Sequence, residues 1–500
     1  MNILSRVRES RGEWKKKAVS RATLVRDLRK KLTRLKSSSD ERCLYLEAEN
    51  QRLKSENQEL QPAASKTSMI QAPDIRILCV LMIIRGIVSF RAVPRLLGVQ
   101  QLFDGFCLPI PHFTSVIHWS LRAGVAVFNA VACINAPWIA IIDCSIDIGT
   151  RKALVVLRIS LEALREKQGA VGLADCECIG IKISTTWNGP LVSEALKEIF
   201  GTAGVPMAIL KDGGTDLNKG VQLYRDSEST KHVVIIDDVG HVTANALKAE
   251  FSKQTAFLKF LDVVRKGAAR IRQTNLAWLL PPKIRTKGRF QGITEVAVWA
   301  KKTLNLMGGQ GRAKDNSELS LLRRSFLGLA QLRSFLERFC SACELGEKFL
   351  KLMKQNGLNQ ETYREAKAIL LQMSENSIVR IRLLAWLEKH LSIHCRLGIG
   401  QLPLLVSSDV IESLFGKFKT VIQRNPQAEL NRLVYLIPLL CGTHTKDDIN
   451  NAIQNCSHQQ MLNQIENTVP QTLRQQRHRV LDRRQEQVPN TGNLELAKTG

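Results

Sequence analysis

The sequence predicts an α/β fold built on a mixed sheet, with helical regions before and after it. Three observations lead there. Short apolar runs between residues 137 and 237 are bounded by Gly, Asp or polar breaks, which is the pattern of strands. Helical runs separate the later ones, which is the pattern of an α/β layer. Residues 252 to about 400 then keep helical periodicity almost throughout.

Taken in order, "WIAIID" (138–143), "KALVVLRIS" (152–160) and "CIGIKISTT" (178–186) suit a meander of three antiparallel strands. A helix from about Pro190 to Phe200, the strand "VPMAILK" (205–211), the helix "TDLNKGVQLYRD", the strand "HVVIID" (232–237) and the helix "HVTANALKAEFSK" follow. The order is β-β-β-α-β-α-β-α. In a mixed sheet of this order the first and fourth strands are central neighbours, so Asp143 and Asp212, which close them, adjoin.

Before the sheet lie two helical regions. In 1–62, a basic helix leads into a heptad with Leu46, Leu53 and Leu60 at d, and with Cys43, Asn50 and Asn57 three residues before each. Asn at a favours a parallel two-stranded coil; the alternative is one amphipathic helix packed on its own domain. After the linker "QPAASKTSMIQAPD", residues 73–133 read as a helix-turn-helix-like region in which Thr114 caps a helix and His118, Ser120 and Arg122 are available for DNA. A three-helix unit without DNA contact fits the same pattern. At the other end, 426–470 reads as C-terminal helices. The basic tail 471–500 is polar and poor in large apolar residues, the composition of a disordered segment.

Lys and Arg total 72 against 46 acids, a formal charge of +26. That excess favours a polyanionic partner, nucleic acid before membrane surface; a merely soluble basic protein is the plainer reading. The basic N-terminus has no apolar core of signal-peptide length. The 12 cysteines are therefore expected as thiols in a reducing compartment. Asn129, Asn135 and Pro137 interrupt the uncharged stretch 123–142, which ends as a strand, so no membrane span is expected.

Two acids at one sheet edge repel each other unless a divalent cation neutralises them, and Mg²⁺ takes oxygen ligands of this kind. A third acid is Glu412 in "SSDVIESLFGKFKT", behind the possible caps Ser407, Ser408 and Asp409. Each acid alone has an ordinary reading: a turn cap for Asp143 or Asp212, a helix-dipole partner for Glu412. In "LKDGGTDLNKG", Gly213 and Gly214 turn the chain out of the strand and Asp216 caps the next helix; Asp147 and Asp216 are reserve acids. Asp238 and His241 in "DDVGH" are three apart and share a face at a helix start. The loop "PPKIRTKGRFQG" alternates Lys283, Arg285, Lys287 and Arg289, which suits DNA phosphates as well as a solvated charge run. Cys340, Cys343, His390, His394 and Cys395 are zinc-type residues, but their spacing fits no finger and the first two lie in a helical run.

Together the blocks "IIDCSIDIG", "LKDGGTDLNKG", "IIDDVGHVTANALK", "QTNLAWLLPPKIRTKGRF" and "DVIESLFGKFK" resemble, in their order, bacterial insertion-sequence transposases of the DDE type. The resemblance covers roughly 80–425. It implies a ribonuclease H-like catalytic domain (136–260 plus 400–425) interrupted by an all-helical insertion (261–399). It further implies that Asp143, Asp212 and Glu412 bind two Mg²⁺ or Mn²⁺ ions, with Asp238 and His241, rather than Asp237, in supporting positions. Strand cleavage and strand transfer on double-stranded DNA, at element ends and target, would follow. So would a homodimer or higher homo-oligomer and a cytoplasmic, nucleoid-associated location. Alternatives are another ribonuclease H-like nuclease or integrase, a catalytically inactive DNA-binding relative, or a helical scaffold with a coiled coil.

Overall fold

The computed structural model of the chain describes residues 74–104, 109–148, 151–167, 171–284, 290–308, 313–315, 317–422 and 430–469, with scattered positions nearer the termini. The heptad leucines, Arg285, Lys287, Arg289 and nearly all of 471–500 lie outside the described residues. Pro73–Gly500 forms one compact unit, separate from Met1–Ala72.

Among the described residues of Pro73–Gly500, three helices come first: α1 (Ile75–Gly86), α2 (Ala92–Asp104) and α3 (Phe113–Asn129). The last begins one residue before Thr114, with His112 at its N-cap. The sheet follows, with β1 (Trp138–Ile148), β2 (Arg151–Ser160), a short α4 (Leu161–Glu166), β3 (Glu177–Ser184), α5 (Gly189–Ala203), β4 (Ala208–Lys211), α6 (Thr215–Arg225), β5 (Val234–Asp237) and α7 (Val239–Phe251). Its strand order is β3-β2-β1-β4-β5. β2 is antiparallel to both β1 and β3, whereas β4 is parallel to β1 and to β5. This is the mixed sheet expected from the run order, with the first and fourth strands adjacent at its centre.

Alternation along the strands divides the core in two. Trp138, Ala140, Ile142 and Ile209 pack with Val192, Leu196, Leu217 and Val221 of α5 and α6. On the other face Ile139, Ile141, Ala208, Leu210 and Ile236 pack with Val239 and Leu247 of α7. Continuing the alternation puts Asp143 and Asp212 on this second face.

The expected helical block is present, as α8 (Thr255–Ile271), α9 (Ile293–Met307), α10 (Glu318–Ser325), α11 (Leu327–Gln331), α12 (Arg333–Asn356), α13 (Gln360–Leu371) and α14 (Ile378–Leu397). Its centre is aromatic: Phe335 and Phe339, one helical turn apart, stack at 5.5 Å, and Phe257 meets Phe339 edge-on at 5.6 Å. Gly398, in the left-handed region, ends α14. The returning chain makes an isolated bridge, Leu358 to Leu404, and then starts α15 (Asp409–Ile422), whose Ile411 and Leu414 join the second face of the sheet.

Residues 73–133 and 426–470, read from sequence as separate regions, pack on one another. Helix α3 lies against 3-10 turns at Arg432–Leu436 and Pro438–Leu440 and against α16 (Lys446–Asn455) and α17 (His458–Thr468). Gly124 permits this approach, because a Cβ there would sit 1.8 Å from the Tyr435 carbonyl oxygen. No helix among the described residues is long and apolar enough to cross a membrane, and the described cysteines are free thiols.

Candidate active site

Strand register brings the first two acids together. β1 and β4 pair in parallel up to Ile142 opposite Lys211, and Asp143 and Asp212 are the next residue on each chain. Beyond this point the strands part. β1 continues past Asp143 to Ile148, longer than expected, because its pairing with β2 resumes at Ile146 opposite Ala153 after an irregularity. β4 ends at Lys211. Asp143 is buried and Asp212 half-buried. Both charges reach Cys144: burial first, then Asp143 and Asp212, push its thiol upward.

The turn after β4 differs in one detail from the expected one. Asp212 Oδ1 accepts the Gly214 N–H at 2.8 Å, fixing the turn, and Gly214 is the N-cap of α6. Asp216 stands in the first helical turn, exposed, and caps nothing.

His241 stands beside Asp212 and Asp238. Its Nε2 is 3.7 Å from Asp212 Oδ2, and its Nδ1 is 3.1 Å from Asp238 Oδ1. Burial disfavours the charged ring, yet the Asp238 hydrogen bond and the charges of Asp238, Asp212 and Glu412 outweigh it and raise the imidazole to about 9. Gln291, where the basic loop re-enters the described chain, meets His241 Nε2 at 3.0 Å. Asp238 is 3% exposed. It caps α7 by accepting the His241 N–H at 2.7 Å, and its other oxygen accepts the Ser408 N–H at 2.8 Å and the Ser408 hydroxyl at 3.0 Å.

Glu412 is half-buried in the first turn of α15. Its carboxyl is raised above the usual range by burial and by Asp409 and Asp238, against the opposing pull of His241 and Lys354. Glu412, Asp238, His241 and Asp409 line one cavity of about 810 Å³, with Gln291, Lys302 and Lys354 on the side of the helical block. Lys354 Nζ is 2.7 Å from Asp409. Among the described residues, no three His, Cys, Asp or Glu side chains stand ready to grip one ion together. The carboxylates of Asp143, Asp212 and Glu412 are each oxygen donors of the hard type that Mg²⁺ or Mn²⁺ takes.

Other expected site residues are placed differently. Arg122 is turned inward: its Nε and Nη2 donate to the Cys456 and Ile453 carbonyls at 2.7 and 2.6 Å, closing the C-terminal end of α16. That bonding engages its Nε and Nη2 within the fold. His118 stacks near His458 at 5.3 Å, half-buried. Lys283 is exposed. His390 and His394 serve the fold, not a zinc: His390 Nε2 accepts the Asp237 N–H at 3.0 Å, and His394 Nε2 pairs with the Leu402 carbonyl at 2.9 Å. Burial holds His390 down at about 4.

Sequence reasoning missed Lys354, which belongs to no motif, and Gln291, which stands in the basic loop but carries no charge. It noted Ser408 as a cap, but its partner Asp238 is distant in the chain.

No family model matches the chain, and no curated protein matches it. Among solved structures, the Drosophila P element transposase strand transfer complex is similar with a TM-score of 0.38 and 11% identity, over 78% of this chain and 98% of that one. At that level of likeness the match says nothing of this chain's activity.

Proposed function

We propose that the protein is a DNA transposase of the DDE type, cutting and joining strands at a site made by Asp143, Asp212 and Glu412. The observation that carries the reading is the register that sets Asp143 beside Asp212 on one sheet face, with Glu412 on a helix covering that face. These three carboxylates would hold Mg²⁺ or Mn²⁺. Such ions activate a water or 3′ hydroxyl and stabilise the leaving oxygen of an in-line displacement at phosphorus.

The chain's own contributions follow from the geometry. Sheet register fixes Asp143 and Asp212, and the Gly214 N–H further orients Asp212. His241, with its proton held up to about 9, offsets part of the acidic charge and holds a place beside Asp212. The net charge of +26 supplies sequence-independent attraction for DNA, and exposed Lys283 begins a basic loop whose other end, Gln291, touches His241. Double-stranded DNA at element ends and target, a homo-oligomer and a nucleoid-associated location belong to the same reading. Bacterial insertion-sequence membership rests on the residue blocks alone.

The test is a gel shift beside a cleavage reaction on DNA carrying the ends that flank the reading frame. Wild type should bind and cut with Mg²⁺ and stop cutting with chelator. Asp143→Asn should bind and not cut. A ribonuclease H-like nuclease of another kind would cut without joining.

A further inference from the structure

Two of the three proposed acids are placed by strand register, but Glu412 reaches the site on a helix that follows the whole helical block. Apolar packing of Ile411 and Leu414 seats α15 on the sheet, yet apolar contact does not fix how its first turn is rotated. A directional device is needed, and a chain of hydrogen bonds supplies it. The Asp238 N–H donates to the Lys211 carbonyl at 3.0 Å, which ties Asp238 to the last residue of β4, beside Asp212. Asp238 Oδ2 accepts the Ser408 N–H and hydroxyl. The Ser408 carbonyl accepts the N–H groups of Ile411 at 3.0 Å and Glu412 at 3.5 Å. Next to this chain the Val239 N–H donates to the Val406 carbonyl at 2.9 Å.

We propose that Asp238 and Ser408 are positioning residues that bracket the two sides of the helical block and set Glu412 against the Asp143–Asp212 pair. This rests on the reading of those acids as the reactive site, and it gives Asp238 a role other than metal ligand or DNA contact. A carboxylate suits the role because it accepts and does not donate. Ser408 N–H and O–H converge on one oxygen, while the His241 N–H and its ring nitrogen converge on the other. An amide in that place would present its NH₂ to one pair of donors. Asp238 and Ser408 are each 3% exposed, so water does not compete for these bonds.

The full chain is tested as Ser408→Ala, Ser408→Thr and Asp238→Asn, by amide hydrogen exchange over 409–415 and by Mn²⁺ titration. Ser408→Ala should speed exchange at the start of α15, leave β1 and β4 unchanged, and weaken Mn²⁺ about tenfold, the usual cost of losing a group that orients a ligand. Ser408→Thr keeps the hydroxyl and should restore both. Asp238→Asn should do at least as much as Ser408→Ala; if it unfolds the chain, the serine pair still decides. Wild-type exchange and wild-type Mn²⁺ affinity in Ser408→Ala, or no recovery in Ser408→Thr, would overturn the bracket. If wild type takes up no Mn²⁺ while Ser408→Ala still loosens α15, the bracket stands and the proposed function falls.

Discussion

Asp237 and Asp238 are consecutive residues that serve opposite sides of the sheet's end. Asp237 shares the face of α5 and α6 with buried Lys211, whose Nζ is 2.6 Å away; Lys389 reaches its other oxygen at 2.6 Å, and Lys211 also bonds Asn218. Burial works against its charge, but the two lysines hold its carboxyl down at about 2. On the opposite face Asp212, Asp238 and Glu412 all act on one imidazole, that of His241, and Glu412 is pushed upward, not down. Lys211 and Lys389 match Asp237 on one face, whereas on the other, against burial for His241 and with it for Glu412, neighbouring acids raise both groups. Balanced buried charge serves the fold, whereas groups perturbed by burial and by specific charged neighbours in a cleft mark a candidate functional site.

The comparison breaks most sharply if acids on the two faces respond alike. Asp143→Asn should lower Mg²⁺-dependent strand cleavage on the order of a thousandfold, about 4 kcal/mol of barrier, with gel-shift affinity kept. Lys211→Met should act on stability instead. It leaves Asp237 with one lysine fewer in a buried setting, and urea unfolding should show a loss of about 3 kcal/mol.

Acid titration sharpens the same contrast. The folded carboxyl of Asp237 lies at about 2, below its unfolded value of 3.8. Its stabilisation is therefore complete above 3.8 and lost as pH falls toward 2, a difference on the order of 2 kcal/mol between wild type and Asp237→Asn in urea melts. His241 has the opposite sign. Its folded value of about 9 exceeds the unfolded 6.5, so its stabilisation is present below 6.5 and disappears as pH rises through 9. Wild type should lose its advantage over His241→Gln across that window, by about 3 kcal/mol, when both are unfolded at pH 6 and pH 9.5. Lys354→Ala should matter least. The Lys354–Asp409 pair is partly exposed, and its loss should cost about 0.5 kcal/mol or less by the same melts.

Much of this arrangement was legible in the sequence because strands announce themselves locally. Apolar runs at 138–143, 152–160, 178–186, 205–211 and 232–237 announced the five strands, and the central pairing of the first and fourth set Asp143 beside Asp212. The end of β1 was not legible, since only pairing with β2 carries it to Ile148. Nor was the fate of Arg122, whose acceptors at Ile453 and Cys456 lie hundreds of residues away in sequence. Asp216 looked like a cap because Asp favours that position, but the Asp212–Gly214 turn advances the helix start past it. The Gln291 contact reaches from within the helical block to His241 and the Ser408 contact joins segments on either side of the block, where no spacing rule reaches.

In the proposed function Asp143, Asp212 and Glu412 form one cation site and Asp237 does not belong to it. Mn²⁺ titration of the full chain, followed by water-proton relaxation, tests it directly. Asp143→Asn, Asp212→Asn and Glu412→Gln should each weaken Mn²⁺ binding by tenfold or more, roughly 1.4 kcal/mol, and Asp237→Asn should bind as wild type. Equal affinity in all five proteins, or a loss confined to Asp237→Asn, would contradict the account.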